Sequence, residues 1–238
     1  MRFAKPAALI VLLAGISWGS PASHANGVST KITNGQPVTG TISADGSDSY
    51  TFDVAKGTSF LVTIAETGTH NENFLPIIDL SGPDGHHEHM GNLLGETVAE
   101  THPVAGPWTV TVSQGDQKNG SGGGYQLTLT QPPFKTGSTL SSSATTGTNT
   151  RDGISFYTFT GTADHQAAIA LTPTGGQGFT PQAFIFSPTG ELVGGMTCAE
   201  ECEGTAKIGA SGSYAVVVTK GDSNDVTGTY SISVQDKN

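Results

Sequence analysis

Apolar and polar residues alternate along short stretches of this chain, which is the period of a β-strand that buries one face. Tyr50, Phe52 and Val54, for example, alternate with Thr51 and Asp53. Similar segments are 60–65, 77–80, 108–113, 125–130, 157–159, 183–186, 214–218 and 230–234. Glycines and prolines punctuate them, and no helical period is sustained. The pattern predicts an all-β chain built as an antiparallel β-sandwich, with one face of each sheet in the core.

The second half of the chain repeats the landmarks of the first half, at an offset that drifts from 107 to 105 residues. Tyr50-Thr51-Phe52 returns as Tyr157-Thr158-Phe159, and Tyr125 returns as Tyr230. Repeats of solenoids are only about 20–50 residues long, so this period indicates a duplicated domain. We predict two tandem domains, a first copy over residues 26–133 and a second copy over 134–238. Matched residues are expected to hold the fold, and unmatched ones to carry function.

The first 25 residues have the pattern of an export signal. Arg2 and Lys5 precede an apolar run, Ala7–Ile16, and small residues follow at Ser23-His24-Ala25. The run is shorter than the ~20 apolar residues that span a bilayer. The sequence therefore predicts a signal peptide over residues 1–25, cleaved to give a secreted or periplasmic protein that does not insert into the membrane.

The chain is acidic, with 10 Lys and Arg against 20 Asp and Glu and a net charge of −10. Loss of Arg2 and Lys5 with the signal brings this charge to −12. Because nucleic-acid binding requires clustered positive charge, the sequence predicts no nucleic-acid partner.

The two cysteines, Cys198 and Cys202, are four residues apart. In an oxidising compartment such a pair is expected to form a disulfide. The loop it closes is short, so the entropic model gives only about 2 kcal/mol of stabilisation. We expect this disulfide to pin a hairpin.

Several motifs resemble those of the bacterial pre-peptidase C-terminal (PPC) domain. They are Asp48-Ser49-Tyr50-Thr51-Phe52, the turns Pro83-Asp84-Gly85 and Pro188-Thr189-Gly190, and the strands that begin at Gly106-Pro107-Trp108 and Gly212-Ser213-Tyr214. Ser155 departs from the pattern, since it stands where the first copy has Asp48. The resemblance implies a jelly-roll-like sandwich that helps secretion, solubility or attachment to polymeric substrates. Some relatives bind calcium or collagen.

Catalytic motifs are missing from the sequence. It has no Gly-x-Ser-x-Gly elbow, and Gly91 stands where a zinc metalloprotease would need a second histidine after His87-Glu88. Trp108 matches Tyr214, which favours a core role over an exposed glycan platform. We therefore predict a non-catalytic binding or accessory protein whose partner is an extracellular polymer, a surface or another exported protein.

A histidine-rich segment is the sharpest difference between the copies. Its candidate metal ligands are His86, His87, His89, Met90 and His102, and His70 lies nearby in sequence. On a strand, His87 and His89 would share one face and His86 and Glu88 the other. Imidazoles joined by a thioether suit Cu or Zn. The alternative function is thus a periplasmic copper or zinc protein, and the simpler interpretation is a solvated polar loop.

Calcium is a further candidate ligand, because acidic and amide residues gather in predicted turns. The groups are Asp45/Asp48, Asp116/Asn119 and Asp222/Asn224/Asp225. None has the spacing of a defined calcium loop. Asp and Asn in turns mostly bond their own backbone, so we expect a structural role here.

Overall fold

The computed structural model describes residues 29–68, 71, 73–83, 85–90, 97–101, 104–115, 120–150, 153–220 and 227–238. Within strands, the side chains of 89–90 and 97–101 are excluded from this description. The predicted signal over 1–25 lies outside these ranges. The described residues form strands and turns without any helix, so the predicted all-β class is confirmed. Accordingly, this part of the chain holds no helix long and apolar enough to cross a membrane.

Nine strands are described in each half of the chain. Those of the first half are β1 Thr30–Lys31, β2 Val38–Ile42, β3 Ser47–Val54, β4 Ser59–Thr67, β5 Pro76–Ser81, β6 His87–Met90, β7 Thr97–Thr101, β8 Gly106–Gln114 and β9 Gly123–Thr130. Those of the second half are β10 Ser138–Thr139, β11 Thr145–Asn149, β12 Ser155–Gly161, β13 Gln166–Gly175, β14 Pro181–Phe186, β15 Leu192–Thr197, β16 Cys202–Lys207, β17 Gly212–Lys220 and β18 Gly228–Lys237.

Both halves arrange their strands in the same order. Each has a five-stranded sheet, β1-β3-β8-β5-β6 or β10-β12-β17-β14-β15. Each also has a four-stranded sheet, β2-β9-β4-β7 or β11-β18-β13-β16. Neighbouring strands are antiparallel, except that the short first strand of each half runs parallel to its partner, β3 or β12. The two sheets of a half face each other across one apolar core, which makes each half a β-sandwich.

The core of the first copy is built around a cluster of three aromatic rings. The ring of Phe60 lies 4.9 Å from that of Phe52 and 5.0 Å from that of Trp108. All three are fully or almost fully buried. The predicted core role of the matched aromatics is confirmed for Tyr50, Phe52, Phe74, Trp108 and Tyr125 and for their counterparts Tyr157, Phe159, Phe179, Tyr214 and Tyr230.

The core of the second copy has only two rings at the equivalent place. Phe159 stacks on Tyr214 with ring centroids 5.3 Å apart. Strand register puts Ala167 where the first copy has Phe60, because Val62 pairs with Leu129 as Ile169 pairs with Val234. The two cores therefore differ in how much side-chain volume they hold at one end of the sandwich.

A third apolar cluster joins the two copies. Leu61 of β4 is fully buried against Phe184, Phe186 and Val217 of the second copy. Two hydrogen bonds between the copies reinforce it: Ser59 N donates to Gly190 O at 2.9 Å, and Leu192 N donates to Ser59 Oγ at 2.8 Å. Alternation alone would place Leu61 on the solvent side of its sheet, and it is buried because the second copy covers that side.

The predicted disulfide between Cys198 and Cys202 is present. The expectation that it pins a hairpin is wrong, because β15 and β16 belong to different sheets. The disulfide instead closes the turn by which the chain passes from the edge of the five-stranded sheet to the edge of the four-stranded sheet. Cys198 is buried in this turn, and its N–H donates to Pro181 O at 2.9 Å.

Candidate functional site

The outer face of the first copy's five-stranded sheet carries mostly polar side chains. We call it the polar sheet face and define it as Ser49, Thr51, Asp79, Ser81, His87, Thr109 and Thr111. Register arranges these residues in two rows across β3, β8, β5 and β6. One row runs Thr51, Thr109, Ser81, His87, and the other runs Ser49, Thr111, Asp79.

Hydrogen bonds link neighbours within these rows. The hydroxyls of Ser49 and Thr111 lie 3.3 Å apart, and Ser81 Oγ lies 3.0 Å from His87 Nδ1. His87 is exposed, whereas the other residues of the face are partly exposed. The face thus offers hydroxyls, a carboxylate and an imidazole on one surface, a set that both donates and accepts hydrogen bonds.

The same face of the second copy is apolar. Register places Phe156, Phe184, Phe186 and Val217 where the first copy has Ser49, Asp79, Ser81 and Thr111. These apolar residues belong to the cluster that Leu61 completes. One copy therefore uses this face to bind its neighbour, while the other presents a polar version of it. This difference between the copies could not be predicted from the sequence, because it becomes visible only when the register of four neighbouring strands is known.

His86 and His87 point to opposite sides, as strand alternation predicts. The ring centroid of His86 lies 5.6 Å from that of buried Trp108. His86 Nε2 is 3.8 Å from Glu88 Oε1. His87 instead contacts Ser81 on the polar sheet face. The structure therefore does not bring His86 and His87 together as ligands of one ion.

The register of β6 also separates Met90 from the predicted histidine row. His87 and His89 pair with Ser81 and Asp79, whereas Met90 pairs with Ile78. The equivalent pair in the second copy is Met196 with Ala183, and Met196 packs against the core there. Met90 therefore occupies the register position of Met196, outside the row of His87 and His89.

The remaining metal candidates are only partly described. The side chains of His89 and Met90, together with all of His70 and His102, lie outside the description. Among the described side chains, no group of three or more His, Cys, Asp or Glu residues is placed to hold an ion. The copper or zinc site therefore stays a prediction that rests on His87, His89 and His102.

The structure corrects the sequence prediction for one calcium candidate, Asp48. The expectation that Asp48 lies in a turn is wrong: it is a strand residue of β3, 3% exposed, and its Oδ2 accepts a hydrogen bond from Tyr125 Oη at 2.6 Å. Its carboxylate is directed into the core and satisfied there, whereas Asp45 is exposed. The other candidates lie outside the described residues, namely Asp116, Asn119, Asp222, Asn224 and Asp225.

Comparison with known proteins gives structural likeness only. No protein-family model matches the chain, and no curated protein matches it. The pre-peptidase C-terminal domain of collagenase from Bacillus anthracis is 19% identical, covering 42% of this chain and 95% of that domain, with a TM-score of 0.33. The CUB1-EGF-CUB2 domains of human MASP-1/3 are 8% identical, covering 83% of this chain and 99% of that one, with a TM-score of 0.24. At such scores the PPC family remains a resemblance.

Proposed function

We propose that this protein is an exported, non-catalytic accessory protein that attaches to an extracellular polymer through the polar sheet face. The observation that carries this proposal is the contrast between the copies. The face that is apolar and covered in the second copy carries hydroxyl, carboxylate and imidazole groups in the first. The disulfide between Cys198 and Cys202 fits an oxidising, extracytoplasmic compartment.

The chemistry of the polar sheet face favours a neutral, hydroxylated polymer. Ser49, Thr51, Thr109 and Thr111 supply neutral groups that both donate and accept hydrogen bonds. The protein carries a net charge of −10, which repels polyanions. A broad open sheet face also suits an extended polymer better than a compact ligand, which requires a concave site.

Sedimentation with insoluble polymers tests this function. Wild-type protein is incubated with three neutral polymers, cellulose, chitin and insoluble starch, and the retained fraction is measured. The double variant Thr109→Glu/Thr111→Glu adds two charges to the middle of the face and should abolish retention. The matched control Thr39→Glu/Thr41→Glu adds the same charges to exposed positions of β2 in the other sheet. Retention of wild type by no polymer, or equal retention of both variants, would refute the proposal.

A copper or zinc protein is the second candidate function, and one observation favours it. The register of β6 places His89 opposite Asp79, with His87 two residues earlier in the same strand. Two imidazoles and a carboxylate form a ligand set suited to Zn or Cu(II). This proposal concerns the edge of the polar sheet face and is tested separately by the metal titration described in the Discussion.

A further inference from the structure

The second copy contains a cleft of about 530 Å³ at one end of its sandwich. Its floor is apolar and includes Leu140, Phe159, Ile208 and Val234. Pockets that hold small ligands are typically about 300–1,000 Å³ and have an apolar lining with a few polar groups. In size the cleft falls within that class, whereas its lining is more polar than usual, with an apolar floor and a rim of hydroxyl, amide and carboxylate groups.

The cleft lies where the second copy has lost volume relative to the first. Ala167 lines it and occupies the register position of Phe60. In the first copy the Phe60 ring fills the space beside Phe52 and Trp108. With alanine at that position, Phe159 and Tyr214 stack on each other and the space beside Ala167 opens to the cleft.

The rim of the cleft also differs between the copies in its side-chain hydrogen bonds. In the first copy, Asn34 Nδ2 donates to Gln131 O at 2.7 Å, and Gln131 N donates to Asn34 Oδ1 at 2.9 Å. These bonds tie the loop after β1 to the end of β9. The register of β10 and β18 puts Ser142 and Asp236 at the equivalent positions, and both line the cleft. A serine is too short to make the same two bonds, and the loop is instead held by Val234 N, which donates to Ser141 O at 2.9 Å.

The rim of the cleft is rigidly held. Asp164 adopts a φ of +67°, and the equivalent residue of the first copy, Gly57, has a φ of +73°. The second copy therefore keeps this left-handed backbone conformation although a residue with a Cβ rarely adopts it. Asp164 N donates to Ile208 O at 2.9 Å, and Ile208 N donates to His165 O at 3.0 Å. His165 Nδ1 also lies 2.7 Å from Asp236 Oδ1. A rim that is already ordered loses little entropy when a ligand binds.

The polar groups of the cleft select the ligand chemistry. Gln166, Gln235 and Asp236 offer amide and carboxylate groups, and Ser141 and Thr162 offer hydroxyls. Among the described residues that line it there is no Lys or Arg, so an anionic ligand would be unpaired. A neutral molecule with several hydroxyls and an apolar C–H face satisfies both the rim and the floor.

We propose that this cleft binds a neutral saccharide unit. The choice of a saccharide rests on the proposed attachment to a hydroxylated polymer, although the cleft is separate from the polar sheet face. The exposed side chains of Gln166 and Asp236 would bond the sugar hydroxyls and supply most of the contacts. The floor would add only a small apolar contact, since Phe159 is 3% and Leu140 4% exposed.

Calorimetric titration of the full chain with cellotriose, maltotriose and N-acetylglucosamine trimer tests the cleft. At least one should bind with a stoichiometry of one. Ala167→Phe restores the first copy's residue and should weaken that binding by at least about tenfold. Asp236→Ala at the exposed rim should do the same, and it decides the test if Ala167→Phe fails to fold.

The control variant is Thr39→Glu/Thr41→Glu, which adds charge at exposed positions of β2, outside both the cleft and the polar sheet face, and should leave saccharide binding unchanged. Binding of no saccharide, or binding that survives both folded cleft variants, would overturn the cleft proposal. Loss of saccharide binding in the control would also overturn it. Polymer retention by wild type without saccharide binding would reject the cleft and leave the proposed function intact.

Discussion

Tyr125 donates its hydroxyl hydrogen to the carboxylate of Asp48 at 2.6 Å inside the first core. The Tyr50 hydroxyl lies 2.6 Å from that of Tyr125, so three buried polar groups form one chain. The second copy keeps the two tyrosines, Tyr157 and Tyr230, with hydroxyls 2.9 Å apart, but it has no aspartate there. The copies therefore satisfy the same tyrosine pair in different ways.

The buried tyrosines predict a loss of stability at high pH. Burial, followed by the hydrogen bond to Asp48, raises the pKa of Tyr125 far above its ordinary value of about 10. Burial also raises the pKa of Tyr230 and of Tyr50. Since the folded state holds these protons more tightly than the unfolded state, their contribution is complete below about pH 10 and declines above it, by up to about 1.4 kcal/mol per pH unit for each group.

Denaturant unfolding between about pH 8 and pH 11.5 measures this slope. The variant Tyr230→Phe removes one titrating group and should make the slope above pH 10 shallower by about 1.4 kcal/mol per pH unit. Tyr214→Phe provides the comparison, because the Tyr214 hydroxyl donates to Ala210 O at 2.9 Å and is not part of a tyrosine pair. A free energy of unfolding that stays level up to pH 11.5 would contradict the prediction.

The two copies support their tyrosine pairs with different polar residues, and exchanging those residues should reveal an energetic coupling between them. In the second copy Ser155 Oγ donates to Asn149 Oδ1 at 2.9 Å, and register puts Ile42 at the position of Asn149. Asp48→Ser should destabilise the protein by about 1–3 kcal/mol, because Tyr125 loses its acceptor. Ile42→Asn alone should also destabilise it, since the amide is buried without its partner.

The double variant Asp48→Ser/Ile42→Asn recreates the second copy's arrangement. It should be more stable than the sum of the single changes implies, with a coupling energy of about 0.5–3 kcal/mol. Thermal or denaturant unfolding of all four proteins gives this cycle. Strict additivity would mean that the two networks are not interchangeable.

The apolar cluster between the copies predicts how each half of the chain should behave when it is expressed alone. Each half has its own core and is long enough to bury it, so residues 26–133 and 134–238 are each expected to fold alone. In the second half alone, Phe184, Phe186 and Val217 would lose their contact with Leu61, which leaves part of this apolar face exposed. The isolated second half should bind a hydrophobic dye and self-associate.

The variant Phe184→Asp/Phe186→Ser places the first copy's residues on that face and should make the isolated second half monomeric. In the intact chain, Leu61→Ala should cost about 2–5 kcal/mol, as for other buried leucines. Light scattering, dye fluorescence and the dispersion of amide resonances check these points. An unfolded half would refute the division into two domains, and a monomeric wild-type second half would refute the role of the apolar face.

Sequence periodicity predicted the strands well wherever one face of the strand is buried and the other is exposed to solvent. It failed at Leu61 because a neighbouring copy covers the second face, and a segment buried on both sides loses its alternation. The row that His87 and His89 form with Ser81 and Asp79 could not be predicted from β6 alone, because it depends on the register with β5. The cleft beside Ala167 could not be predicted from the sequence either. An alanine in place of a phenylalanine leaves a cavity only where the neighbouring side chains do not move in to fill it.

The histidine segment gives the last prediction, for the copper or zinc alternative. If His87 and His89 bind one ion, they must do so as neutral imidazoles, so affinity should fall as the pH drops through about 6.5. Calorimetric titration with Zn²⁺ and Cu²⁺ should show stoichiometric binding in wild type that is lost in His87→Ala/His89→Ala.

Two controls sharpen this titration. His165→Ala removes a histidine on the second copy, where His165 pairs with Asp236, and should leave the affinity unchanged. Met90→Leu should also leave the affinity unchanged, because register sets Met90 opposite Ile78 rather than in the row of His87. If the double histidine variant binds as tightly as wild type, the segment is an ordinary polar edge strand. If Met90→Leu weakens copper binding, β6 does not keep this register in solution.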